Sequence, residues 1–144
     1  MEFSVEPASN EPFEFGPIQT KWLEALESGK YKQGMGRLRC SGDNKYCCLG
    51  VLCEVAGLEY APENSSYFFP GPDGVKTLYT GYLPPKFAES IGLRSDQARL
   101  ARSWAISGER YGTLTGANDS GEVSFAEIAA HIRHDPWNVF TKSA

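Results

Sequence analysis

The sequence contains no long apolar run. Its longest, Tyr46 to Cys53, is far short of the roughly 20 residues that a membrane-spanning helix needs, so no membrane association is expected. The first sixteen residues, MEFSVEPASNEPFEFG, hold no lysine or arginine and no apolar stretch. That is not the composition of a secretory signal or a transit peptide, and the cytoplasm is the expected location. Histidine is scarce, with only His131 and His134. The four cysteines, Cys40, Cys47, Cys48 and Cys53, lack the paired C-x2-C spacing of structural zinc sites, and nothing routes the chain to a compartment where a disulfide framework forms. No metal and no cofactor is expected. Basic residues are outnumbered 14 to 18, so the domain-wide positive field of a sequence-independent DNA binder is missing and nucleic acid is not an expected partner.

What is present fits one ordinary folded domain. The 144 residues match a prior of about 150 per domain. With 41% hydrophobic and 22% charged residues, the chain can bury a core without staples. Charge is unevenly placed. Glu2, Glu6, Glu11 and Glu14 mark residues 1–16 as a mobile acidic arm, although Phe3, Phe13 and Phe15 suggest that it lies on the body; residues 17–144 then form a single globular domain. The body is neutral apart from residues 30–45, where Lys30, Lys32, Arg37, Arg39 and Lys45 face only Asp43, with Gly34 and Gly36 among them.

Periodicity predicts five short helices and one aromatic hairpin, a small α+β domain that is mostly helical. The first helix opens at Pro17, buries Ile18, Trp22, Ala25 and Leu26, and stops at Gly29. The second, within YCCLGVLCEVAGL, is apolar on most of its surface and reads as central. Aromatic flanks around Pro70-Gly71-Pro72-Asp73-Gly74 predict the hairpin. A short helix follows Pro84-Pro85, and Ser95 is expected to cap a fourth with Gln97, Leu100, Ala101 and Trp104 on one face. A glycine-bearing link with a short strand at Tyr111 to Thr115 leads to the last helix, opened by the capping box Ser124 and Glu127.

Three chemistries compete for these residues. Cys47 falls at the start of the second helix, where free N–H groups and the helix dipole favour a thiolate, and is the candidate nucleophile of a transferase or hydrolase. A thiol of that kind needs a base, and His131, read as a solvated residue opposite Ile128 and Ile132, is poorly placed to serve. The stretch Gly116 to Glu127 can be laid on a twelve-residue calcium loop, with Asn118, Ser120, Gly121, Val123 and Glu127 at the third, fifth, sixth, eighth and twelfth places. Its first place lacks a carboxylate, and the residues before it make a poor helix.

The third chemistry is binding. Four blocks, WLEALESGKYKQGMGRLR, YCCLGVLCEVAG, LPPKFAESIGL and NDSGEVSFAEIAAHIR, spanning about residues 17–134, resemble a family of small uncharacterised proteins common in phages and prophages and also found in bacteria. Ala117 stands where that family carries leucine before the NDSG block. The resemblance implies a protein made during infection or carried by a mobile element. Together the blocks suggest one site: Gln33, Gly34, Gly36, Arg37 and Arg39 brought to the N-terminus of the helix at Cys47, and closed by Asn118 and Asp119 from the start of the last helix. Glycines let a backbone approach a phosphate, helix N-termini favour anions, and an Asn-Asp pair can read ribose or base edges. The expected function is a phage-type binding protein, more a binder than an enzyme. It would take a small anionic, nucleotide-like ligand or dock on a host protein, and interfere with host function.

Overall fold

The computed structural model describes residues 9–144. Helix α1 (Pro17–Glu27) follows the predicted period, but the face it buries is Gln19, Trp22, Leu23 and Leu26, with Ile18 and Ala25 at its margin. Helix α2 (Cys48–Val55) is buried from Cys48 to Cys53 and is the centre of the core, as its apolar surface requires. The indole Nε1 of Trp22 on α1 donates 2.8 Å to the Cys48 carbonyl of α2, and the end of the glycine-rich segment passes so close to α2 that a Cβ at Gly50 would overlap the Leu38 carbonyl. Helix α5 (Phe125–His134) packs on α1 through Ile128, Ala129 and Ile132, and its capping box is formed as its sequence predicts.

Strands fill the intervals. β1 (Arg39–Cys40) pairs with β2 (Lys45–Tyr46); β3 (Tyr60–Ala61), β4 (Ser66–Pro70) and β5 (Lys76–Tyr79) form a second antiparallel sheet that contains the predicted aromatic hairpin. Helix α3 (Pro85–Ser90) starts at the second proline of its pair. The third sheet is β6 (Arg99–Ile106) with β7 (Glu109–Thr113), joined at Ser107 and Gly108, which both have positive φ, the signature of a two-residue hairpin loop. Two short helices complete the fold, α4 (Leu114–Asp119) and α6 (Pro136–Val139).

The fold is a small single-domain α+β structure, with 35% helix and 23% strand among the described residues, so the expectation of a mostly helical chain is corrected. The predicted fourth helix is the main error. Ser95 Oγ accepts from the amides of Gln97 and Arg99 and closes a turn; the chain then runs on as β6. Leu100 and Trp104, four residues apart, share a face of a strand as they would of a helix, and because Arg102 between them is exposed where the register shifts, the buried pattern imitates a helix face. The glycine-bearing link holds α4, capped by Thr113, whose Oγ1 accepts from the Gly116 amide at 2.8 Å.

Residues 1–8 of the acidic arm lie outside the described residues. Beyond them, Phe13 stacks on Phe140 (5.6 Å between ring centroids) and meets Trp137 edge-on at 4.8 Å, while Trp137 Nε1 donates to the Glu11 carbonyl. Among the described residues no helix is long and apolar enough to cross a membrane.

Candidate functional site

The glycine-rich segment is held against α4 and the start of α5 by two side-chain amides. Asn118 is fully buried at the end of α4. Its Oδ1 accepts from Gln33 Nε2 (2.9 Å) and from the Cys48 amide (3.2 Å), and its Nδ2 donates to the Gly34 carbonyl (2.8 Å) and to Asp119 Oδ1 (3.0 Å). Gln33 donates in addition to the Val123 carbonyl (2.8 Å) and accepts from the Phe125 amide (3.1 Å), which opens α5. Every hydrogen-bonding position of Asn118 is therefore filled. Asp119 Oδ1 also receives the Gly36 amide at 3.1 Å, with Gly36 at φ +82°.

Above this latch lies a cleft of about 770 Å³. Gln33, Gly34, Gly36, Arg37 and Asn118, five of the residues expected to share a site, do line it. Arg37 is exposed and, among the described residues, its guanidinium has no protein partner. Lys45, on β2, supplies a second cation, and Cys40 contributes to the wall. The opposite wall comes from residues 121–127 and carries Glu122 and Glu127. Composition did not single out this acidic side; the run GEVSFAE holds it in plain view, but its helix-capping role absorbed Glu127.

The structure separates the other expected site residues from the cleft. Arg39 is turned away, as alternation along β1 requires when Cys40 faces the cleft. Its guanidinium stacks over Tyr60 at 4.2 Å and approaches Tyr46 at 5.1 Å, its Nε donates to Asn44 (2.9 Å), and it pairs with Glu54 at 3.3 Å. Glu54 in turn accepts from the Tyr67 hydroxyl at 2.8 Å, so this arginine is committed to packing. Asp119 supports the loop from behind, and the Asn118-Asp119 pair ends α4 where it was expected to open the last helix.

Cys47 does not line the cleft. It is the N-cap of α2 but only 2% exposed, and burial pushes its thiol up to about 11, against the lowering expected of a helix terminus. Desolvation outweighs the dipole because the terminus faces protein: the Cys48 amide is given to Asn118. No anion can use that helix end. His131, expected in solvent, is 5% exposed and stacks on Trp104 with ring centroids 4.3 Å apart. Burial lowers its pKa to about 4, with the nearby His134 and Arg102 adding to the effect. The calcium-loop alignment does not match the geometry either. Gly116 and Asn118 lie within α4, the Asn118 amide is saturated, and Glu127 Oε1 accepts from the amide and hydroxyl of Ser124. Among the described residues no group of three His, Cys, Asp or Glu side chains is placed to hold a metal ion.

What remains is a small α+β domain with a polar, two-sided cleft between a latched glycine loop and the start of a capped helix. The chain belongs to the family described as Domain of unknown function (DUF8296), whose model matches residues 16–135. No curated protein and no solved structure matches it. The matched span contains the whole of the latch and the cleft.

Proposed function

We propose that this protein works by binding, and that its cleft holds a small ligand through an anionic group placed on Arg37 and Lys45. The observation that carries this reading is an arginine, Arg37, lining a cleft of about 770 Å³ with no partner for its guanidinium among the described residues. Arginine's planar fork matches phosphate and carboxylate oxygens, and a second cation nearby adds charge without fixing direction. Gln33 and Asn118 hold the loop that presents Arg37, and every N–H of their side-chain amides is already donated, so neither offers a donor to an anion and recognition falls to the cations and the loop. Thiol catalysis is the weaker reading, since Cys47 is buried and raised to about 11, and neither Cys47 nor a histidine lines the cleft. The resemblance to phage and prophage proteins supplies the biological setting, a protein made during infection or carried by a mobile element, in which a bound nucleotide-like ligand or host protein would interfere with host function. A thermal-shift screen against inorganic phosphate, nucleotides and cyclic nucleotides tests this, with a stabilising shift expected in the wild type and absent in Arg37→Ala.

Met35 supports a second reading, docking on a host protein. It lines the same cleft and is 62% exposed, an unusual place for a large apolar side chain. Under that reading no anion shifts the melting temperature, and Met35→Ser weakens a purified complex with the host protein while leaving the fold intact.

A further inference from the structure

A second cavity, of about 440 Å³, adjoins the cleft. The two share Glu122 and Val123 as common wall, so the segment between α4 and α5 separates them and a ligand lying across it reaches both. The second cavity differs sharply in charge. Glu109, Glu122 and Tyr111 line it with Ile106, and no lysine or arginine does. The β6–β7 register accounts for this. Ile106 stands opposite Glu109 and Trp104 opposite Tyr111, so these residues share one face, while Arg110 falls on the other and donates from its guanidinium to Ser103 Oγ at 3.3 Å. The tight turn at Ser107 and Gly108 fixes that alternation. Among the described residues the carboxylates of Glu109 and Glu122 have no partner.

We infer that the ligand is dipolar and elongated, with an anionic end on Arg37 and Lys45 and an organic cation, an ammonium or guanidinium, at its other end between Tyr111, Glu109 and Glu122. This rests on the binding reading above and adds the second end. An aromatic face attracts a cation through its quadrupole, and two carboxylates beside it supply the charge that a single exposed acid would lose to solvent screening. Ile106 and Val123 give the ligand's connecting chain an apolar floor. A purely anionic ligand has no use for this end, since Glu122 repels it.

Calorimetric titration of the full chain with ω-aminoalkyl phosphates of increasing length, each paired with the alkyl phosphate lacking the amine, tests the inference. At one length the ammonium is expected to tighten binding by about tenfold, the range of one charge-assisted contact. The double variant Glu109→Gln, Glu122→Gln, on exposed positions, should lose that gain, while the alkyl phosphate binds at least as tightly as to the wild type because Glu122 also lines the anion cleft. Arg37→Ala should weaken both series. Equal affinity of the paired compounds at every length, or a gain that survives the double variant, overturns the cationic end and leaves the anion site standing. If neither series binds, the anion site itself is overturned, and this inference with it.

Discussion

The side-chain amides of Gln33 and Asn118, 85 positions apart in the chain, meet in a single hydrogen bond of 2.9 Å at the floor of the cleft. Through it the glycine loop, the first amide of α2, the end of α4 and the first turn of α5 are tied together. A pair that could have been read as ligand-facing is thus the frame that presents Arg37.

Replacing Asn118 should therefore cost stability. In Asn118→Ala the Cys48 amide and the Gly34 carbonyl lose their partners in a buried setting, and a loss of about 3 kcal/mol is expected. Urea denaturation followed by tryptophan fluorescence reads it. A change under about 0.5 kcal/mol, as at a solvent-facing polar site, would show that the latch does not hold the loop.

Arg37 should behave in the opposite way. Its guanidinium supports no other side chain among the described residues, so Arg37→Ala should shift stability by no more than about 0.5 kcal/mol while anion binding weakens by more than tenfold. Equal affinity in the two proteins would assign recognition to other residues of the cleft.

How much of this could be read from the sequence depended on whether the local signal and the tertiary packing agreed. They agreed at α1, at α2 and at the capping box of α5, where helical spacing or an all-round apolar surface was backed by Pro17, Gly57 or Ser124 and Glu127. They disagreed at Leu100 and Trp104, which share one face of a strand whose intervening residue on that face, Arg102, is exposed, so that the buried pattern matched a helix. For the site, the glycines, Arg37 and Asn118 were legible as a group because turn residues and cations cluster there. The roles were not. Whether Arg39 faces a cleft or a pair of tyrosines depends on strand alternation between two-residue strands, and whether Asn118 reads a ligand or fills its own amide depends on Gln33, far away in the chain. The same holds for Cys47, since a helix N-terminus favours a thiolate only when it faces water or charge.

Thiol labelling separates those cases. Cys40 is partly exposed at the cleft wall, whereas Cys47 is buried and raised to about 11. With iodoacetamide at pH 7 under native conditions, Cys40 should be modified well before Cys47, as peptide mapping will show. Faster labelling of Cys47 would restore the activated-thiolate alternative.

His131 makes stability fall in mild acid. Its folded pKa, lowered by burial to about 4, lies below the unfolded value of 6.5. The unfolded chain therefore binds the extra proton first as pH drops. Stability is unaffected above about 6.5 and declines through the window down to about 4, by about 3 kcal/mol in total at about 1.4 kcal/mol per unit. Guanidinium titrations at intervals between pH 7 and pH 4 should show the slope in the wild type and a shallower one in His131→Gln. Identical slopes would place the acid sensitivity elsewhere.

The central claim is that an anion binds at Arg37. Titrating isotope-labelled protein with inorganic pyrophosphate and following its amide resonances tests this most directly. Binding should saturate, with the largest shifts at Gly34, Met35, Gly36, Arg37 and Lys45, and disappear in Arg37→Ala. Shifts that fail to saturate, that centre on another face of the protein, or that persist in the variant would contradict the account.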